Sequence, residues 1–301
     1  LSKKIKLSAT LLFLSSISFL LLGFPDRNII KIIRIPQLLT AFAAGSILSM
    51  SGVVFQNVLS NPLADPYILG VSAGSALGAV IGYTFNINPE TSALIGGLLT
   101  IAALALSGKI LESKLKLILF GVGVNATLSS LIVITTAIKN PQQSPSILFF
   151  LLGFIPVLSL KKSFFLFLLP FLLVFIFSKS AERIDALSLG DLFAYLSGVS
   201  PEKERIIYLL LSSVFTAIIV SQTGIIGFIG IVIPHLGRLL KIRKTGELLI
   251  FAIFSGASAL ILAELIIKTV FESYDIPAGT ITALIGAPAF IFILWRNKNL
   301  A

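Results

Sequence analysis

Apolar runs separated by short polar breaks recur from Leu7 almost to the C-terminus. They predict membrane spans near 7–24, 37–55, 68–85, 92–107, 117–138, 163–178, 206–222, 226–240, 247–267 and 278–295. Backbone polar groups in lipid must be satisfied within a helix or a closed barrel. Barrel strands would show alternating segments of about ten residues, whereas these runs are continuously apolar. The expected fold class is therefore all-α, a polytopic membrane protein with about ten transmembrane helices.

Composition agrees with that pattern. Of 301 residues, 56% are hydrophobic and 12% charged, and the mean hydropathy is +1.03; soluble domains carry about 25% charged residues. Ten spans of about 20 residues leave roughly 100 for connections. A soluble enzyme, a nucleic-acid binder and a disulfide scaffold are excluded. Cysteine is absent, so no thiolate metal site or thiol nucleophile exists.

The net charge of +10 is explained chiefly by topology. Counting Lys and Arg on alternate sides of the ten spans gives 16 against 7. The richer side, which holds both termini, is read as cytoplasmic, with a contribution from anionic headgroups. Lys3, Lys4 and Lys6 before Leu7–Phe24 outline a signal peptide. That run of 18 residues exceeds the usual h-region, however, and no Ala-x-Ala site follows, so it is read as a retained first span.

Catalytic candidates are few. His235 is the one histidine and has no companion at metal-ligand spacing, so a structural hydrogen-bonding role is expected. No phosphate-binding GxxxxGK[ST] loop is present. Gly121 to Ala126 matches G-x-G-x-x-A but lies in an apolar span with no preceding strand, so glycine there is read as allowing close helix approach. Gly74, Gly78 and Gly82 form one small-residue face and Ala41, Gly45 and Ser49 another, expected to pack within the chain in preference to forming a dimer seam.

Breaks occur at Asn61-Pro62 through Pro66, at Pro234-His235, at Pro277 to Gly279 and at Pro288. Transporters often build sites from interrupted helices, and Pro288, inside the last span, is the most telling of these. Glu264 lies deep in the ninth span with Lys268 one turn on. It is read either as a paired group near the outer face or as a docking or gating charge. Between Ser178 and Arg205 runs an amphipathic stretch, Ala186 to Gly198, suited to a short surface helix that lies on the membrane or docks a partner.

Several segments together resemble the FecCD family, the membrane permeases of ATP-binding-cassette importers for iron-siderophores, haem and cobalamin. The markers are Arg34-Ile-Pro36, Ala44-Gly45, Ser51-Gly52 with Gln56, Asn61-Pro62-Leu-Ala-Asp-Pro66 and Leu69-Gly70. Later come Gly224 through Pro234-His235 to Arg238, Ser255 to Ser258, Pro277-Ala-Gly279 and Gly286 to Phe290. The resemblance runs from about Arg34 to Trp295.

It implies a type II importer permease fold over 1–301 as a single permease domain, in a bacterial or archaeal cytoplasmic membrane. The implied partners are a second copy of the chain, two cytoplasmic ATPase subunits and one extracytoplasmic substrate-binding protein, with the lipid bilayer and no nucleic acid. ATP and Mg would belong to the ATPase, leaving no cofactor or metal in this chain and no enzyme activity of its own.

By the same resemblance the loop at about 179–205 would couple to the ATPase through Leu189, Gly190, Asp191, Ala194, Leu196 and Gly198. Arg34 and Lys268 would dock the binding protein, although Gln37 stands where a second Arg often follows. The fifth and tenth spans would face the path between subunits, with Gly121, Asn125 and Ser129 on one face of the fifth. Asn125 answers equally to a cavity or to an interhelical hydrogen bond. Asn61, Pro62, Pro66, Gly70, Pro234, His235, Pro277, Gly279 and Pro288 would be structural. An ion-coupled secondary transporter is the alternative, with Glu264 as its available carboxylate.

Overall fold

A computed structural model describes residues 3–22, 26–107, 113–137, 144–271 and 274–296. Its elements are α1 (Lys3–Leu21), α2 (Arg27–Val58), α3 (Val71–Phe85), α4 (Pro89–Ser107), α5 (Lys114–Ala137) and α6 (Ser144–Leu152). There follow α7 (Leu160–Lys179), α8 (Ala181–Ser188), α9 (Asp191–Leu196), α10 (Pro201–Thr223), α11 (Ile229–Leu239), α12 (Thr245–Val270) and α13 (Ala278–Arg296). Each of the ten predicted spans falls on a helix, in the predicted order. The end of the first, at 23–24, and residue 138 lie outside the described residues.

Among the described residues, seven helices are long and apolar enough to cross a bilayer, namely α1, α2, α4, α5, α7, α10 and α12. Two predicted spans need correction. α3 has 15 residues and α11 has 11, which at about 1.5 Å per residue is short of a bilayer core about 30 Å thick. Non-helical backbone precedes each, at 59–70 and at 224–228. Pro288, by contrast, does not interrupt its span, because α13 runs unbroken through it. A further helix, α6, lies between the fifth and sixth predicted spans; the apolar run Ile147–Leu152 is too short to be read as a span.

The irregular segments satisfy one another. The Tyr67 hydroxyl donates to the Ile226 carbonyl at 2.9 Å and accepts from its N–H at 3.3 Å. Ile225 N–H donates to Phe150 O (3.1 Å), Phe154 N–H to Thr223 O (2.7 Å) and Gly279 N–H to Gly153 O (3.1 Å). Four breaks thus meet as one protein-lined junction, the condition under which open backbone is tolerated at membrane depth. At its edge Phe228 holds φ 68°, a conformation disfavoured for a bulky side chain.

Glycine and serine set the helix contacts. A Cβ on Gly45 would fall 2.2 Å from Gly256 O, and one on Gly256 equally close to Gly45 O, so α2 and α12 meet backbone to backbone. Likewise a Cβ on Gly78 would lie 2.1 Å from Ser92 O of α4. Both small-residue faces therefore pack inside the chain, as expected. α1 packs along α12 and buries Phe19.

Candidate functional site

Between α7 and α10 the chain folds into two short helices. Gly190, at φ 110°, lets the backbone double back from α8 into α9. On their inner side Ile184, Leu187 and Ala194 are fully buried. The opposite side carries Leu189 and Phe193, with Leu192 75%, Tyr195 73% and Leu196 76% exposed. An apolar patch of that kind marks an interaction surface, for a protein partner or for the membrane.

Charges brace the patch from behind. Asp191 accepts from Arg205 at 2.6 Å and pairs with Lys114 at 3.2 Å; the Arg205 side chain is 1% exposed. Partial burial pushes the Asp191 carboxyl up, but the hydrogen bond and charge of Arg205, helped by Lys114, outweigh it and hold the pKa below the usual carboxylate range. Lys114 also donates to Ser60 Oγ at 2.8 Å, and Ser60 Oγ donates to Leu187 O at 3.2 Å.

The six predicted coupling residues thus divide by role. Leu189 and Leu196 are open to a partner, Gly190 and Gly198 supply left-handed turns, Asp191 points back to Arg205, and Ala194 faces the core. The Ala194 side chain is fully enclosed within the chain. Leu192, Phe193 and Tyr195, which lie in the same stretch but outside the six, are also exposed. Their amphipathic spacing was visible, but not which face looked outward.

At the other end lies a polar cavity of about 450 Å³, lined by Arg34, Gln37, Glu264, Lys268, Tyr274 and Asp275 among others. Arg34 closes a π-helical turn, Ile30–Arg34, of a kind frequent at functional positions. It donates to the Phe19 and Leu22 carbonyls (3.0 and 3.3 Å) at the end of α1, and its guanidinium lies 5.4 Å from the Phe19 ring. Lys268 sits over the same ring at 4.6 Å and donates to Gln37 Oε1. The two predicted docking cations therefore share one lip, half-buried and internally engaged. Arg27 and Lys31, at the start of α2, are exposed cations nearby. Lys268 and Glu264 line the same cavity and act on each other through their charges, but no direct ion pair joins them: the ammonium donates to Gln37, and Glu264 is only 7% exposed.

The expected path residues also separate. Gly121 is pressed on the 59–70 segment, where a Cβ would lie 2.1 Å from Ile68 O. Asn125 donates to Tyr67 O at 3.2 Å, which answers its two readings in favour of the hydrogen bond. Only Ser129 is exposed, beside an open face bearing Val122, Gly123, Thr127 and Ser130. α13 is similarly bare at Leu284, Ile291, Phe292 and Trp295.

The motif residues hold the junction. Asn61 Oδ1 accepts from Leu63 N–H (2.9 Å), Pro62 is exposed, Pro66 fits against Gly230, and Gly70 opens α3 at φ 85°. Gly279 meets Leu152 O so closely that a Cβ would fall 2.0 Å away, just after Pro277. Pro234 lies inside α11, and His235 beside it corrects an expectation. Both ring nitrogens are buried without a hydrogen-bond partner among the described residues, and the ring packs edge-on to Phe290 at 5.8 Å.

The sequence profile of the FecCD transport family matches residues 4–296. This chain belongs to the FecCD transport family. A relative named probable iron chelatin transport system permease protein, of Helicobacter pylori (strain J99), is 37% identical over 276 residues, 90% of this chain and 83% of that protein. The molybdate import system permease protein MolB of Haemophilus influenzae is 34% identical over 281 residues, covering 91% and 83%. A solved metal-chelate type ABC transporter in an inward-facing conformation superposes with TM-score 0.90 at 31% identity, over 98% of this chain and 100% of that one. The chain is a multi-pass, all-helical FecCD-family permease of the ABC importer class.

Proposed function

We propose that the chain works as a pair of identical permease subunits importing a metal chelate or oxyanion, driven by two separate cytoplasmic ATPase subunits and supplied by one extracytoplasmic binding protein. Both termini lie in the cytoplasm of a bacterial or archaeal inner membrane, and residues 1–301 act as one permease domain. The chain performs no chemistry itself, and ATP and Mg bind the partner ATPase. The observation that carries this reading is the exposed patch Leu189, Leu192, Phe193, Tyr195 and Leu196 on α8–α9, anchored to the membrane helices through Asp191 and Arg205.

Relatives named for an iron chelatin and for molybdate support this substrate class. At the outer face Arg34 and Lys268, supported by exposed Arg27 and Lys31, receive acidic side chains of the binding protein. The open faces of α5 and α13 meet the second copy and line the path, with Ser129 beside them.

Purification of the tagged chain from its native membrane in mild detergent tests the reading. Two copies recovered with two copies of an ATPase are expected, and Leu192→Ser with Leu196→Ser should abolish that recovery. A chain recovered without any ATPase, where other such complexes survive, would turn the reading toward an ion-coupled transporter and make Glu264 the residue to test.

A further inference from the structure

Four helices that belong to different parts of the fold meet behind the docking patch. Asp185 of α8 accepts through Oδ1 from Thr245 N–H at 3.0 Å and from the Thr245 hydroxyl. Thr245 is the first residue of α12, whose own N-cap position, Lys244, makes no side-chain capping bond. Helix N-termini are ordinarily capped by the residue just before them. Here the carboxylate comes from another helix, favourably placed for the dipole of α12, so the cap is also a tether.

The tether continues into α2 and α11. Asn57 Nδ2 donates to Thr245 Oγ1 at 2.8 Å, Arg238 donates to Asn57 Oδ1 at 2.8 Å, and Arg238 also donates to Gln56 Oε1. From this end α2 and α12 stay in contact across the molecule. Ser49 Oγ donates to Ala252 O at 2.8 Å and Ser46 Oγ to Ile253 O at 3.1 Å, flanking the Gly45–Gly256 backbone contact. At the outer end Lys268 of α12 donates to Gln37 of α2, at the lip of the polar cavity. A pair bonded at both ends and in the middle, with no space between backbones, shifts as a unit rather than deforming.

We propose that Asp185 is the joint through which the docking helices move α2 and α12 as one body, carrying the state of the ATPase to the outer cavity. This rests on the docking role assigned to α8–α9. Asp185 is a positioning residue: it sits behind the patch and acts through Thr245.

The cysteine-free chain makes the test direct. Tyr274 is exposed at the outer cavity, so Tyr274→Cys reports on that cavity through its rate of reaction with a membrane-impermeant maleimide. In the complex with its ATPase, reconstituted in liposomes, that rate should differ between the nucleotide-free and ATP-bound states. Asp185→Ala should retain the ATPase but lose the difference, and Asp185→Asn, which keeps the accepting oxygen, should restore it. An Ala variant that carries the ATPase and keeps the full difference would overturn the proposal, as would an unaltered complex showing none.

If Asp185→Ala sheds the ATPase, Thr245→Val decides, since its backbone N–H still reaches Asp185; it should reduce the difference, and an unreduced one overturns the idea. Spin labels at Lys31→Cys and Thr269→Cys should keep one separation in both states, and a shifted separation would refute the single-body claim. Failure of the unaltered chain to hold any ATPase would instead remove the docking reading.

Discussion

α2 and α5 are both long and apolar enough to cross a bilayer, yet 89% of the apolar window of α2 is buried inside the chain and only 11% of that of α5. Hydropathy does not separate them, because lipid is as apolar as a protein core. What separates them is the small and polar content of the faces. α2 carries Gln37, Thr40, Ser46, Ser49, Ser51, Gln56 and Asn57 on buried positions and sits at the centre of the bundle. In lipid, small residues and interhelical hydrogen bonds drive association, so α2 is central for the very residues that lower its apolarity. α5 spends Gly121 and Asn125 on one contact with the 59–70 segment and leaves the remainder for lipid or a second copy.

The contrast is sharpest at two glycines. Gly45→Ala forces a methyl to within 2.2 Å of a backbone carbonyl, and overpacking of this kind costs about 1–3 kcal/mol or more. We expect the largest loss of folded protein among these variants, read as thermal stability in detergent. Gly123→Ala meets nothing within 4 Å and should leave the monomer unharmed or steadier by up to about 1 kcal/mol, from helix propensity. Equal losses from the two substitutions would erase the comparison.

Asp191→Ala should come next. It strands the buried Arg205 guanidinium and, because Asp191 itself is half exposed, should cost on the order of 1–3 kcal/mol, below the 3–5 typical of a fully buried pair. Slower proteolysis or unchanged amide exchange in α9 would contradict that role. Acid probes the same tether more gently. The Asp191 pKa is depressed, so its contribution is complete above the ordinary aspartate value of about 3.9 and is lost as pH falls through the lower folded value. Protection of α8–α9 amides, taken relative to their intrinsic exchange rate at each pH, should therefore fall in strong acid and hold level at and above neutral pH.

The smallest effect on the fold belongs to the docking patch. Leu192→Ser with Leu196→Ser touches exposed side chains, so stability should change by no more than about 0.5 kcal/mol per site while ATPase recovery collapses. Stability lost in step with recovery would show that the patch serves the fold.

Much of this was legible along the chain. Each of the ten apolar runs became a helix, the two small-residue faces became close contacts, and the stretch Ala186 to Gly198, expected as one short surface helix, became the end of α8 and all of α9. Asp191 was noticed, but its partners Arg205 and Lys114 come from other helices, one 14 positions on and the other 77 positions back. Asp185 carried no local signal at all, since its meaning lies in an N-terminus 60 positions away. Pro288 misled because a proline in an apolar helix looks the same whether or not the helix continues through it.

The sequence by itself determined that the protein lives in a bilayer, how many apolar segments it has and to which family it belongs, because those properties follow from local composition and ordered motifs. Only the tertiary structure decided that α3 and α11 are short helices closed by irregular backbone, that Asn125 and Ala194 face inward, and that Arg34, Lys268, Gln37 and Glu264 gather at one cavity. Those outcomes depend on which distant polar groups reach one another once water is excluded, and periodicity along a chain does not encode that choice.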